Sequence, residues 1–257
     1  MSKSITFERA ADYYDQTRSF PPGEEKRAAD LLIQSGRLSA EDRILEIGVG
    51  TGRIALPLAG RVRRVVGIDL AQAMMARLRA KPGGETILLA QADATRLAFG
   101  DGAFDAVVAV HVFHLIPEWQ RAVGEVARVL RPGKPLVHAW SENFHKTTWW
   151  EAWNKAVPSQ QTVGGVQFRQ NRTFLTDLGW QPAGAPGHLS YTYSQSPASL
   201  LDQFGRRIWS STWHLTDDEL NAGIAAVREA MLAEHGALDT PVQIQTEFMT
   251  QAYLPPR

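Results

Sequence analysis

The chain contains no cysteine. That absence excludes disulfides, thiolate zinc sites, iron–sulfur clusters and every cysteine nucleophile. An excess of charge of either sign is also missing. Lysine plus arginine and aspartate plus glutamate stand at 27 each over 257 residues, so no global field favours nucleic acid or an anionic membrane surface. Arg61, Arg63 and Arg64 are a local basic group, and beside a turn they read as solvated surface. Long apolar runs are lacking too: none reaches a membrane span, and the polar start Met-Ser-Lys-Ser has no signal-peptide core. These absences lead us to expect a cytoplasmic chain with no nucleic-acid partner, no membrane partner and no metal site. What remains is an ordinary globular composition, 44% hydrophobic and 21% charged, in a chain long enough for one large core.

The stretch Arg43-Ile-Leu-Glu-Ile-Gly-Val-Gly-Thr-Gly52 organises the rest. Ile44, Leu45 and Ile47 make a short apolar run, bounded by charge and by glycine, that reads as a fully buried strand. Gly48, Gly50 and Gly52 follow, and then an apolar pattern through residue 59 fits a helix. Strand, glycine turn and helix leave a bare backbone with free N–H groups, which lets a nucleotide or another polar ligand approach closely. Glu46 beside the turn is placed to accept hydrogen bonds from a cation.

From residue 43 onward the period alternates. Strands are expected at 43–47, 64–69, 86–90, 104–110 and 135–140, with helices near 52–59, through Met74, Met75 and Leu78, and near 118–130. Before them, Pro22-Gly23 suits the start of a helix over 24–33 with acidic residues in its first turn and Gly36 near its end. Short apolar strands alternating with helices imply a doubly wound parallel sheet, which binds ligands at the carboxyl ends of its strands. After residue 141 helices are expected near 144–156, 165–179, 197–207 and 216–235, around one strand at 188–194. Seven of the eight tryptophans fall between Trp140 and Trp213. A last strand alternates Val242, Ile244, Thr246, Phe248, Thr250 and Ala252 with polar residues, as in an antiparallel edge pair with one exposed face. The fold class expected is α/β, a Rossmann-like, mostly parallel seven-stranded sheet with an antiparallel last strand and a helical cap.

Asp69 closes the second strand about twenty residues beyond the glycine turn, the spacing at which a carboxylate accepts both hydroxyls of a ribose. Asp93 follows the third strand, where a carboxylate can accept an adenine amino group, and Leu70 and Met74 offer an apolar slot for the ring. Gly50-Thr-Gly-Arg-Ile-Ala55 also satisfies a relaxed dinucleotide pattern, so to this point an NAD(P)-dependent oxidoreductase remains an alternative.

Five segments taken together resemble one family. Glu46-Ile-Gly-Val-Gly-Thr-Gly52, Val65-Val-Gly-Ile-Asp-Leu70, Ala92-Asp93, Phe99-Gly-Asp-Gly-Ala-Phe-Asp105 and Arg128-Val-Leu-Arg-Pro-Gly133 are similar to the ordered motifs of class I S-adenosylmethionine-dependent methyltransferases. The resemblance covers about residues 7–140. It implies S-adenosylmethionine as cofactor: Gly48, Gly50 and Gly52 against its methionine part, Asp69 on the ribose, and Asp93 with Ala94 beside adenine. Glu46 then meets the ammonium group. Tyr13, Tyr14 and Arg18 match a segment that folds over the cofactor in similar proteins, with Arg18 on the carboxylate and a tyrosine facing the sulfonium. Val110 and His111 lie beside the amine and the methyl group. The implied organisation is a single methyltransferase domain over residues 1–257: N-terminal helices over the cofactor (1–40), a binding core (41–140), a cap (141–236) and a final strand (240–254).

Transfer from a sulfonium needs alignment and water exclusion more than acid–base help. An oxygen or nitrogen acceptor can also need a proton removed, and His111 and His114 are the candidate bases. Without cysteine there is no cytosine-C5 thiol adduct. The fourth strand ends in Ala109-Val-His-Val112 rather than in the Asn/Asp-Pro-Pro-aromatic tetrapeptide of exocyclic-amine methylation. A small-molecule acceptor, apolar or aromatic if the tryptophans line its site, is expected; an NAD(P)-dependent oxidoreductase and an S-adenosylmethionine-binding protein without transferase activity are the alternatives.

Overall fold

The computed structural model describes residues 4–142, 147–158, 165–167 and 170–256. The expected alternation is realised as β1 (Arg43–Ile47), α3 (Ala55–Leu58), β2 (Arg64–Asp69), α4 (Gln72–Arg79), β3 (Leu88–Gln91), β4 (Ala106–Val110), α5 (Trp119–Val129) and β5 (Leu136–Ser141). Two short helices precede it, α1 (Tyr14–Arg18) and α2 (Glu24–Gly36). After it come α6 (Thr148–Ala156), α7 (Phe174–Asp177), β6 (Gln181–Pro182), β7 (Gly187–Gln195), α8 (Pro197–Gly205), α9 (Asp217–His235) and β8 (Val242–Leu254).

The sheet has eight strands rather than seven, in the order β3-β2-β1-β4-β5-β8-β6, with β7 also on β8. β1 to β5 pair in parallel, and β6 is antiparallel to β8. The extra strand is the two-residue β6, whose run Gln-Pro is too short to show a period. β1 is flanked by β2 on one side and β4 on the other, so strand order reverses there. A parallel sheet opens a crevice at such a switch point, at the carboxyl ends of its strands.

Several boundaries differ from the sequence expectation for identifiable reasons. Pro57 sits inside α3, which is a single turn rather than eight residues. The third strand starts at Leu88, because Thr86 Oγ1 bonds Gly83 O at 2.7 Å and closes a tight turn over 84–86. The fourth begins at Ala106: Phe104 bridges Leu130 instead, and Asp105 spends its carboxylate on the Arg43 N–H at 3.0 Å. The helix near 165–179 reduces to α7, since the Gln170 side chain bonds the Gln167 N–H at 3.1 Å and competes for helical hydrogen bonds; residues 168–169 lie outside those described, as do 144–146 of the helix near 144–156. β8 alternates as expected to Thr250, but Gln251, Ala252 and Tyr253 are all buried, because β8 is an interior strand paired with β6 at that end.

Cα packing divides the chain into two compact units, Met1–Trp140 with Val163–Leu189 and Phe248–Arg257, and Ser141–Thr162 with Ser190–Glu247. The first has a core built on the sheet and α5, with Leu45, Ile47, Val107 and Val126, joined by Phe113 and Trp180 from the connecting segments. In the second, Trp149 and Trp153 pack with Leu200, Leu201, Phe204 and Val227. Trp153 stacks on Phe204 at 4.3 Å between ring centroids. Core packing therefore accounts for these two tryptophans. Of the basic group after α3, Arg61 pairs with Asp30. No helix among the described residues is long and apolar enough to cross a membrane.

The later motifs act as mechanical ties. Arg128 reaches Glu125 with two nitrogens, Phe99 O at 2.7 Å and Asp101 at 2.9 Å. Arg131 holds Asp105 at 2.6 Å. The loop before β4 is thus fixed by side chains of α5 and its following turn, which explains their presence without a ligand.

Candidate active site

β1 leads straight into the glycine turn. Gly48 and Val49 both donate to Ile68 O at 2.9 Å, which fastens the turn to β2. Gly48, Gly50 and Gly52 all have left-handed φ, at 72°, 53° and 84°. Space matters as much as φ. A Cβ on Gly48 would lie 2.8 Å from Val112 Cγ2, and one on Gly52 2.2 Å from Leu78 Cδ1. Because α3 is one turn long, it adds little dipole field, and the turn offers close backbone approach rather than a helix terminus.

A small cavity of about 20 Å³ lies above this turn, lined by Tyr14, Glu46, Gly48, Gly50, Thr51, Arg53 and Val110 with Val49 and Ile54. Glu46 is its most informative member. The residue is 3% exposed, and its Oε2 has no hydrogen-bond partner. Burial pushes the carboxyl well above its ordinary range; Arg53 opposes that and Asp69 adds to it. A buried, unsatisfied carboxylate oxygen in a pocket wall calls for a donor, and a cationic one most of all.

Asp69 bonds the turn directly. One oxygen accepts the Gly50 N–H and the other the Ala71 N–H, both at 2.8 Å. Burial raises its carboxyl while these N–H groups lower it. Leu70 is half-buried. Met74 is buried with Ala11 and Ala71, where its methyl lies 3.3 Å from a Cβ built on Gly50. Asp93 is exposed beyond β3, and its Oδ1 accepts from the Thr95 N–H and hydroxyl, each at 2.8 Å; Ala94 beside it is buried. The Ala92 N–H donates to Asp69 O at 3.1 Å, bringing this stretch against the end of β2. Asp93, Asp69, Glu46 and Val110 therefore fall in that order on the adjacent strand ends β3, β2, β1 and β4. At ~4.8 Å per strand this row spans on the order of 14 Å.

His111 follows Val110 with φ 50°, a left-handed conformation for a residue with a side chain, and its N–H bonds Ala139 O at 3.1 Å. Burial, then Arg53, His114, His138 and Arg18, hold its imidazole well below the usual histidine range. The His114 ring still meets solvent, yet burial and the nearby Arg18 push it down to about 4. Both rings are accordingly neutral near pH 7.

The N-terminal segment is strapped onto this end of the sheet. Glu8 accepts the Gln72 and Ala73 N–H groups at 2.5 and 3.0 Å, Asp12 pairs with Arg77, and Asp15 takes the Thr51 hydroxyl at 2.6 Å and Lys81 at 2.7 Å. Tyr14 reaches the pocket and meets the Phe7 edge at 5.9 Å; Tyr13 keeps a buried hydroxyl without a partner. Removing the Asp15 anchor by Asp15→Ala is expected to cost less than about 1 kcal/mol of stability, since the pair is half exposed. Cofactor release, measured by stopped-flow chase, is expected to speed up several-fold because the strap opens more often.

Two residues escaped the sequence reading. Arg53 lines the pocket near Glu46, donates to Arg18 O at 2.8 Å and lies 4.9 Å above the Phe20 ring. His138, on β5, is 2% exposed and stacks on Trp140 at 5.1 Å. Nothing in its strand pattern marked it.

The open sheet with its switch point at β1 and the acidic row at the strand ends define a Rossmann-like fold. Residues 45–137 match the profile of a family described as a methyltransferase domain. The chain is 41% identical over 116 residues to a demethylmenaquinone methyltransferase of Thermus thermophilus, covering 44% of this chain and 51% of that protein. It is 46% identical over 99 residues to a phosphatidylethanolamine N-methyltransferase of Cereibacter sphaeroides, covering 37% and 48%. The chain spans about half the length of these curated relatives. Among solved structures, the YcgJ protein of Bacillus subtilis superposes with TM-score 0.58 at 19% identity, over 90% of this chain and 99% of that one. The [4+2]-cyclase SpnF does so with TM-score 0.57 at 18% identity over 100% of both chains. Residues 45–137 thus match a methyltransferase domain, and the two solved structures share its fold.

Proposed function

We propose that the protein transfers the methyl group of S-adenosylmethionine to a small-molecule acceptor carrying an oxygen, nitrogen or carbon nucleophile. The observation that carries this reading is the unpartnered Glu46 carboxylate in the pocket above the glycine turn. Glu46 takes the cofactor's ammonium, Arg53 or Arg18 its carboxylate, and Gly48, Gly50 and Gly52 leave room for its methionine part. Asp69 binds the ribose, Asp93 and Ala94 flank adenine, and Leu70 and Met74 border the ring. The row on β3, β2, β1 and β4 follows the same order as adenine, ribose and methionine in the ligand. The named relatives support acceptors outside nucleic acid: one is named for demethylmenaquinone and one for phosphatidylethanolamine.

When bound, the cofactor supplies a methyl group already activated on a sulfonium, displaced in line. The protein's residues align and exclude water: the strap over residues 5–18 covers the pocket with Tyr14, and the ties of Glu8, Asp12 and Asp15 hold it there. His111 and His114, neutral near pH 7, are the candidates to take a proton from an oxygen or nitrogen acceptor. The test replaces each ring. Glycine is the better choice at residue 111, because it accepts the left-handed φ, while His114→Ala serves at 114. A base is expected to show as a kcat loss of about 100-fold or more with cofactor affinity unchanged. The acid limb of kcat/KM, which reports the free protein, then falls near pH 4, the depressed His114 value, instead of 6.5. Unchanged turnover in both variants removes them from the mechanism.

The cyclase with this fold favours one second reading, a protein that keeps the cofactor site for another reaction. Presenting demethylmenaquinone and ethanolamine compounds with labelled cofactor separates the two: S-adenosylhomocysteine and a labelled acceptor support methyl transfer.

A further inference from the structure

A second cleft lies at the opposite end of the parallel strands from the cofactor site. Its walls come from the end of α2 (Ser35, Gly36, Arg37), from residues just before β4 and β5 (Asp105, Lys134, Pro135), and from Ala252 and Leu254 of β8. Its volume is about 450 Å³, within the range of small-molecule sites. The lining is mixed, with Pro135, Ala183, Ala252 and Leu254 beside four charged side chains that are unequally committed. Asp105 accepts the Arg43 N–H at 3.0 Å and Arg131 at 2.6 Å; Asp42 accepts the Ser39 N–H at 2.7 Å, and Lys134 reaches both carboxylates at 3.3 and 3.7 Å. Arg37 has no ion pair among the described residues.

The backbone sharpens the case for Arg37. α2 ends in a Schellman turn: the Arg37 N–H donates to Gln34 O at 3.2 Å and the Leu38 N–H to Ile33 O at 2.9 Å. Arg37 occupies its left-handed position with φ 49°. Glycine is the favoured residue there, since a side chain costs conformational energy. Here the glycine stands one residue earlier, where a Cβ on Gly36 would come within 2.6 Å of Val137 Cγ2. Packing against β5 explains Gly36. Arg37 itself is exposed, stands at the negative end of the α2 dipole and lies on the rim of the cleft.

We propose that this cleft binds a small organic monoanion, a carboxylate on an apolar body, with the Arg37 guanidinium as its partner and Pro135, Ala252 and Leu254 beneath the apolar part. A planar guanidinium pairs with a carboxylate through two parallel hydrogen bonds, and an apolar body distinguishes this anion from inorganic phosphate.

The test titrates the full chain with benzoate, followed by ¹H–¹⁵N correlation spectra. Saturable shifts are expected at the Gly36, Gly133 and Gly184 amides, and benzamide and inorganic phosphate are each expected to bind at least tenfold more weakly. Arg37→Gly is the decisive variant, because glycine relieves the left-handed position: it is expected to melt at a higher temperature and to bind benzoate at least tenfold more weakly. Arg37→Gln, which keeps the side chain but not the charge, is expected to lose binding equally. The proposal is overturned if benzoate binds both variants as well as wild type, if benzamide or phosphate matches it, or if saturable shifts are absent or confined to Gly48 and Gly50.

Discussion

Glu46→Gln is expected to weaken S-adenosylmethionine binding by about 30- to 1,000-fold while the apo protein stays folded. The estimate is the cost of removing one partner from a buried charge pair, about 2–4 kcal/mol. Glutamine has nearly the same shape, so packing against β2 and β4 is kept and only the charge is lost. In the apo protein that charge is unfavourable. Burial raises the folded-state carboxyl above its unfolded value near 4.5, so the folded chain holds a proton that the unfolded chain releases. The contribution of Glu46 to stability is therefore fully present below pH 4.5 and is lost as pH rises through the raised folded value. Glu46→Gln removes that slope and is more stable than wild type at neutral pH. Ligand binding reverses the preference. An ammonium group favours the carboxylate, so binding releases the Glu46 proton and affinity falls as pH drops below the folded value. Calorimetric titrations across a pH series are expected to show this dependence in wild type and its absence in Glu46→Gln; a variant that binds as tightly as wild type removes Glu46 from the site.

Gly52→Ala is expected to produce the largest loss of stability. At φ 84° an added Cβ incurs strain of about 1–3 kcal/mol. It would also sit 2.2 Å from Leu78 Cδ1, and overpacking a buried site costs a further ~1–3 kcal/mol. Together these amount to about 2–6 kcal/mol, a drop in Tm of roughly 4–24 °C for a chain of this size. Leu78 is fully buried in the first unit, so it cannot turn away. Shortening it tests the cause: in a Leu78→Val background the same glycine substitution is expected to cost at least ~1 kcal/mol less. Gly50→Ala gives the contrast. Its φ of 53° is milder and its nearest neighbour is the flexible Met74 tip at 3.3 Å, so its loss is about 1 kcal/mol. Equal melting temperatures for the two variants would contradict the account of the turn.

Much of the first unit was legible because its signals are local. Ile44, Leu45 and Ile47 are buried on both sheet faces, which a continuous apolar run announces, and β1, β2 and β5 begin and end within a residue of expectation. The misplacements came from side chains that outbid the backbone period: Thr86 closing a turn, Asp105 serving β1, Pro57 shortening α3. β6 escaped because two residues carry no pattern. At the candidate site, the glycine turn and Glu46 stood out in the sequence and Val110 came from the family resemblance, and all of them line one cavity. Arg53 could not be assigned, because an arginine after a glycine turn gives no sign of whether it faces solvent or the pocket. His138 was missed for a related reason: an imidazole in an apolar strand looks like any buried strand residue until its neighbours are known.

The most direct test is equilibrium binding of radiolabelled S-adenosylmethionine and of NAD to the wild-type chain, side by side. One saturable site for S-adenosylmethionine is expected, with NAD at least 100-fold weaker. NAD binding of comparable strength, or no saturable S-adenosylmethionine site, would contradict the assignment of the glycine turn and Glu46 to this cofactor.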